Sequence, residues 1–315
     1  MQSSIEGATI RRSSRLLKEV WKNRHYYILL LPAILFFILF HYVPMAGVSL
    51  AFKQFSYANG IWGSEWVGFK HFERLFGSMS FYEILRNTLL ISWYRLAFVF
   101  VSPIAFALLL NELRHGMYKR FVQTASYLPH FISWVVLGGI IAELLSPSRG
   151  VVNTIIGWFG FEPIYFLADP AYFRSVLIVS DIWQSVGWGS IIYLAAIAGI
   201  HPDQYESAAI DGASRWQKTR YITVPSILTT IVILFIFQLG GIMNAGFDQI
   251  FNLYNPSVYK VADIIDTYVY RVGLVSTNYD YTTAVGLFKN VVGFLLVVLA
   301  NIVTSRIREG EYKLW

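Results

Sequence analysis

The stretch His201-Pro-Asp-Gln-Tyr205-Glu206-Ser207-Ala208-Ala209-Ile210-Asp211-Gly212-Ala213-Ser214-Arg215-Trp216-Gln217-Lys218-Thr219-Arg220-Tyr221-Ile222-Thr223-Val224-Pro225 is a polar island in a strongly apolar chain. Local chemistry divides it into two helices. Pro202 suits a first helical turn, where its missing N–H is not needed. Good helix formers run to Ile210, and Asp211-Gly212 then supplies a turn, because glycine tolerates positive φ. Ser214 with Gln217 three residues on is a capping-box pattern that starts the second helix, and Pro225 marks the beginning of the next apolar run. The first helix carries small Ala208 and Ala209, an aromatic anchor at Tyr205 and a single acid at Glu206. That surface suits a helix seated in a partner's groove; it equally suits a solvated hairpin between two spans.

Outward from this island the chain reads as an integral membrane protein. Of its 315 residues, 56% are hydrophobic and 14% charged, where a soluble domain carries roughly a quarter charged residues. The apolar residues gather in blocks long enough to cross a bilayer of ~30 Å. They predict an all-α fold with six spans near 27–52, 86–110, 122–145, 175–200, 227–247 and 282–303, the second and fourth interrupted by Arg95 and Asp181. The first block runs past Pro32 and Pro44, longer than the roughly 7–15-residue core of a secretory signal. Arg11, Arg12, Arg15, Lys18, Lys22 and Arg24 precede it, and Arg114, Lys119, Arg120, Arg215, Lys218, Arg220, Arg306, Arg308 and Lys313 fall on the same side. The positive-inside rule then puts both termini in the cytoplasm. The chain divides into a cytoplasmic tail (1–26), a first span (27–52), an outside loop (53–85), a five-helix core (86–303) holding the 201–225 loop, and a C-terminal tail (304–315). Aromatic outside segments such as Trp62–Trp66 and Trp158–Phe166 suit a membrane interface.

Several chemistries are missing. The chain has no cysteine, hence no disulfide or thiolate metal site. It has no phosphate-cradling G-x-x-x-x-G-K-[ST] loop, no G-x-S-x-G and no H-E-x-x-H, so no enzymatic activity is expected of it. The six histidines (His25, His41, His71, His115, His130, His201) are scattered, with no ligand spacing. The formal charge of +6 implies no nucleic-acid partner, because basic tails beside spans are ordinary. An energy source must lie on a partner or in an ion gradient, which leaves an ion-coupled secondary transporter open. That rival needs intramembrane acids and usually inverted repeats; Asp181 and Glu143 are the acids on offer.

Polar residues within spans face a cavity or a partner, because burying them in lipid is costly. Gln184, Ser185 and Trp188 in the fourth span, with Gln238 and Asn244 in the fifth, offer the stacking surfaces and amide groups that sugars use. Gln184 and Trp188 are i, i+4 neighbours on one helix face. The same amides serve equally well as helix–helix hydrogen bonds. Arg95 and Lys289 have Asp181 and Glu143 as possible partners, or reach the interface. Gly240-Gly241 permits close helix approach.

Tyr205-Glu-Ser-Ala-Ala-Ile-Asp-Gly-Ala213 followed by Ile222-Thr-Val-Pro225 resembles the EAA loop of binding-protein-dependent ABC importer permeases. Ser207 replaces the first loop alanine, Val224 replaces leucine, and Thr219 stands where an aromatic is common. The likeness extends through Leu31-Pro32, His41-Tyr-Val-Pro44, Trp66-Val-Gly-Phe-Lys-His-Phe72, Tyr127-Leu-Pro-His-Phe-Ile-Ser-Trp134, Gly246-Phe-Asp-Gln-Ile250, Leu253-Tyr-Asn-Pro256 and Leu314-Trp315 to the LplB-like branch of carbohydrate-uptake permeases. The resemblance implies a MetI-like permease fold and an ATP-driven importer of oligosaccharides, with peptide or another non-sugar solute as the alternative cargo. It further implies a multi-pass protein of the cell membrane, in a heterodimer with a second related permease. Two cytoplasmic ATPase subunits would carry ATP and Mg, leaving this chain no cofactor, and an extracytoplasmic solute-binding protein would deliver substrate. Tyr205, Glu206, Ala208, Ala209, Asp211, Gly212 and Ala213 would then dock the ATPase. In maltose-permease relatives, the stretches aligned with Gln184–Trp188 and Gln238–Asn244 line the sugar site.

Overall fold

The computed structural model describes residues 21–113 and 116–307. Arg11, Arg12, Arg15 and Lys18 of the N-terminal tail, Arg114, His115, and the terminal Arg308, Lys313 and Leu314-Trp315 lie outside the described residues. Helix follows helix: α1 (Arg24–Phe52), α2 (Met79–Glu112), α3 (Met117–Phe131), α4 (Trp134–Leu144), α5 (Val151–Trp158), α6 (Pro170–Ala198), α7 (Pro202–Ile210), α8 (Arg215–Ser226), α9 (Leu228–Gly240), α10 (Phe247–Leu253) and α11 (Tyr279–Ile307). A small antiparallel ribbon, β1 (Lys53–Gln54) against β2 (Glu65–Trp66), caps the segment after α1 with Lys53 opposite Trp66. Among the described residues α1, α2, α6 and α11 are each long and apolar enough to cross a bilayer, and the pairs α3–α4 and α8–α9 bring the number to six if each pair is one span.

The spans expected over 122–145 and 227–247 are bent, the first within its length and the second at its start, and a proline stands beside each bend. Pro129 lacks an N–H and sits in a tight 3-10 turn (Leu128–Phe131); Ile132 and Ser133 then run extended, so α3 and α4 meet at 108°. Pro225 follows a π-helical turn at Thr219–Thr223, and α8 and α9 meet at 58° across Ile227. The second break ends early: α9 stops at Gly240, Gly241 caps it, and the chain turns into α10. α6 is the opposite case. Asp169 accepts from the Ala171 amide at 2.8 Å with Pro170 at the first helical position, and the helix continues unbroken for 29 residues.

α6 is the axis of the bundle, packed by α2, α3 and α9. Backbones approach so closely that a Cβ on Gly187 would lie 2.1 Å from the Ser126 carbonyl oxygen of α3, and one on Gly189 would lie 2.9 Å from Pro103 of α2. Such small-residue contacts are how helices associate where lipid removes the hydrophobic drive between them. Gly240 does the same for α9, where a Cβ would lie 2.8 Å from Val297 of α11, whereas a Cβ on Gly241 would meet the Gln238 carbonyl of its own helix at 3.7 Å. Fully buried Leu137, Phe173, Leu177 and Ile250 form one core at the end where α10 docks, and Ala107, Tyr193, Ile197 and Ile227 form another beside the 201–225 loop. α1 stands apart. None of its most apolar stretch is buried in this chain, and only its last turns, Ala46–Phe52, pack on α11.

Candidate functional site

The 201–225 loop folds as its residues dictate. α7 ends in a Schellman motif: Gly212 adopts φ +77°, its amide donates to the Ala209 carbonyl at 3.1 Å, and the Ala213 amide donates to Ala208 at 2.8 Å. Ser214 and Gln217 complete the reciprocal capping box, with the Ser214 amide donating to Gln217 Oε1 at 2.7 Å. The Tyr205 hydroxyl and Thr223 Oγ1 lie 2.9 Å apart, and Thr223 is buried at the start of the fifth span. That bond ties α7 to the helix pair whose π turn and kink follow immediately.

These contacts give α7 two unlike sides. Tyr205, Ala208 and Ala213 are half-buried toward the bundle, whereas Glu206, Ala209, Asp211 and Gly212 are exposed. Ile210 shares the exposed side with Glu206 one turn earlier and leaves 87% of its surface uncovered; Trp216 leaves 70%. Ile210 escaped the sequence reading, although its i, i+4 spacing from Glu206 places it on the same face. Glu206, Ala209 and Ile210 thus form one continuous uncovered face of α7.

The polar residues of the spans fall into two groups. Trp188 stacks on the His130 ring, centroids 4.8 Å apart and planes 3° from parallel, with Phe131 edge-on at 5.2 Å. Gln184 Nε2 reaches the His130 carbonyl at 3.5 Å. Gln184 and Trp188 therefore share the face of α6 that holds the α3–α4 break, and Trp188 stays 44% exposed. Ser185 donates to the Asp181 carbonyl at 2.6 Å and lines, with Gln238, a cavity of about 370 Å³ between α2, α6 and α9. Gln238 and Asn244 in turn border a narrow crevice with Ser92 and Arg95.

Arg95 is the centre of the second group. It pairs with Asp181 at 2.8 Å and donates through Nη1 to Ala245 O (3.2 Å) and Gln249 Oε1 (3.1 Å). Gln249 Nε2 donates onward to Leu177 O (2.7 Å) and Ser180 Oγ (2.8 Å). A π turn over Arg95–Val99 sets the guanidinium at this height. Gly246, at φ +89°, leaves it room, since a Cβ there would lie 1.8 Å from Nη1. Of the alternatives the sequence left open for Arg95, the structure takes Asp181. Lys289 instead pairs with Asp266 at 2.5 Å, and Glu143 with Arg149 at 2.9 Å. Gln249, Ser180 and Gly246 were not singled out as functional by sequence, because nothing in their spacing predicts that α10 folds back onto Arg95.

Set against known proteins, residues 97–309 match the family described as binding-protein-dependent transport system inner membrane component. Protein LplB of Bacillus subtilis (strain 168) is 43% identical over 292 residues, covering 92% of each chain. The polygalacturonan/rhamnogalacturonan transport system permease protein YteP of the same organism is 44% identical, covering 96% of this chain and 94% of its own. A crystal structure of a bacterial ABC transporter involved in the import of the acidic polysaccharide alginate superposes with a TM-score of 0.87 at 45% identity, over 93% of this chain and 99% of that one. A second, of the alginate transporter in complex with alginate pentasaccharide-bound periplasmic protein, gives the same score at 44% identity. The bent spans, the capped hairpin and these likenesses lead to one conclusion: the chain belongs to the binding-protein-dependent transport system inner membrane components, as a multi-pass, non-enzymatic permease subunit of an ABC transporter.

Proposed function

We propose that this permease carries oligosaccharides released from acidic polysaccharides across the cell membrane into the cytoplasm. Both termini and the 201–225 hairpin face the cytoplasm, as the distribution of Lys and Arg requires. The permease works beside a second, related permease, with two ATPase subunits that bind ATP and Mg and a solute-binding protein outside. The observation that carries this reading is the hairpin, whose Glu206, Ala209 and Ile210 present one uncovered face while Tyr205 grips the fifth span. Closure of the ATPase pushes on that face, and the Tyr205–Thr223 bond passes the displacement to the kinked α8–α9 pair. Substrate passes along the half-exposed surface of Gln184 and Trp188, where one subunit meets the other. Ser185 lies with Gln238 on the neighbouring cavity of α6 and α9, Gln238 and Asn244 border the crevice beside the Arg95 pair, and the three shape the path from its other side. The acidic cargo rests on what the relatives are named for: polygalacturonan and rhamnogalacturonan in one, alginate in another.

Reconstituted complex, supplied with binding protein, tests the reading by uptake into vesicles. Uronate-containing oligosaccharides are expected to accumulate only with internal ATP, and neutral glucans of equal length are not. Uptake that follows an imposed ion gradient at constant ATP would contradict it.

A further inference from the structure

Beside α7 lies an open cavity of about 920 Å³, bordered by the ends of α2 and α6, the start of α3 and the two helices of the hairpin. Its rim carries Lys119 and Arg120 from α3 and Arg215 and Lys218 from α8, against Glu112 and Glu206 alone. None of these cations makes an ion pair with a described residue. The wall behind them is apolar, made by Leu194, Ile197 and Ile200 at the end of α6. Four cations unpaired among the described residues around one cavity repel one another, an arrangement that a bound anion relieves. A basic rim over an apolar wall, at the end of a helix bundle, matches an amphiphile with an anionic head.

We propose that this cavity seats the phosphate headgroup of an acidic phospholipid of the cytoplasmic leaflet, its acyl chain along the α6 wall, and that the lipid braces the hairpin along the flank of the ATPase face, beside Glu206. The inference rests on the reading that the hairpin end of the bundle is cytoplasmic. Arg215 and Lys218 belong to α8 and Lys119 and Arg120 to α3, so one headgroup bridges the coupling hairpin to the third span. A lipid bound there holds the Tyr205 end of α7 against the bundle while Ala209 and Ile210, outside the cavity lining, stay free.

The test uses the whole transporter, delipidated and returned to phosphatidylcholine nanodiscs with graded phosphatidylglycerol. ATP hydrolysis stimulated by loaded binding protein is read against the phosphatidylglycerol fraction, and retained lipid is counted by native mass spectrometry. The wild type is expected to need phosphatidylglycerol and to retain it. The double variant Lys119→Gln/Arg120→Gln should need roughly 25-fold more, given about a factor of five per cation at a membrane surface. Lys119→Arg should restore the wild-type requirement. A double variant with an unchanged requirement and unchanged retained lipid overturns the proposal. So does wild-type stimulation by inorganic phosphate in pure phosphatidylcholine, which would make the cavity a free-anion site. Co-purification of the ATPases with every variant is scored separately. Its loss in the wild type would sink the coupling reading itself, whereas intact assembly with no lipid effect would sink only the lipid.

Discussion

The hairpin at 201–225 and the Arg95 cluster are both polar regions of an apolar protein, and they use their polarity in opposite ways. Around Arg95 each charge has its counterpart inside the bundle: Asp181, 3% exposed, pairs with the guanidinium, and Gln249, 1% exposed, accepts from it and donates to a backbone carbonyl and a neighbouring hydroxyl. On α7 Glu206, Ala209 and Ile210 are left exposed, while the Tyr205–Thr223 hydroxyl pair and half-buried Ala208 fasten the helix to the bundle. A polar group satisfied within one chain fixes that chain's shape; a surface left unsatisfied is completed by another chain. This difference sets the Arg95 cluster, satisfied within the chain, apart from the hairpin, for which the coupling role is proposed.

The predictions press on that division. The largest effect belongs to the uncovered face: Glu206→Lys or Gly212→Pro should abolish oligosaccharide uptake and ATPase co-purification while membrane insertion, read by protease protection, stays normal. Proline cannot adopt the φ of +77° that position 212 requires. Normal uptake by both variants would erase the distinction. Next comes the scaffold. Asp181→Leu leaves a guanidinium unpaired in the bundle and should cost on the order of 3–5 kcal/mol, seen as a lower melting temperature in detergent; adding Arg95→Leu should recover most of it. A double variant as unstable as the single one would mean the pair is not the unit of stability. Gly187→Val should be comparably damaging by forcing α3 off α6, since even a Cβ would meet Ser126. The smallest effect is expected at the joint between the two regions. Tyr205→Phe removes one hydrogen bond worth about 1 kcal/mol, and should lower transport severalfold while ATPase binding, by pull-down, is retained.

Much of this was legible in the residues, and the reasons are local. The Asp211-Gly212 turn and the Ser214–Gln217 cap were readable because each depends on a few consecutive side chains and one backbone angle. The apolar blocks were readable because bilayer thickness sets their length; among the described residues four are single helices and two are bent pairs. Bends were harder: Pro129 and Pro225 stood in plain view, but a proline does not say whether a helix kinks slightly or turns through 108°, and the extended Ile132 and Ser133 decide that. The return of α10 onto Arg95 was illegible, because it joins residues 150 apart in the chain. So was the division of Gln184 and Trp188 from Ser185 and Gln238, which follows from α6 presenting one face to the α3–α4 break and another to α9.

The central claim is that the exposed face of α7 is covered by the ATPase. The native chain contains no cysteine, so single variants Ala209→Cys and Ile210→Cys each introduce one thiol on that face, and Ser226→Cys introduces an exposed control beyond the hairpin. Maleimide labelling rates in inside-out vesicles, with and without the ATPase subunits, measure the coverage directly. The account predicts strong protection at positions 209 and 210 by the ATPase and little change at 226. Equal labelling at 209 and 210 with and without ATPase, in vesicles that still transport, would contradict it.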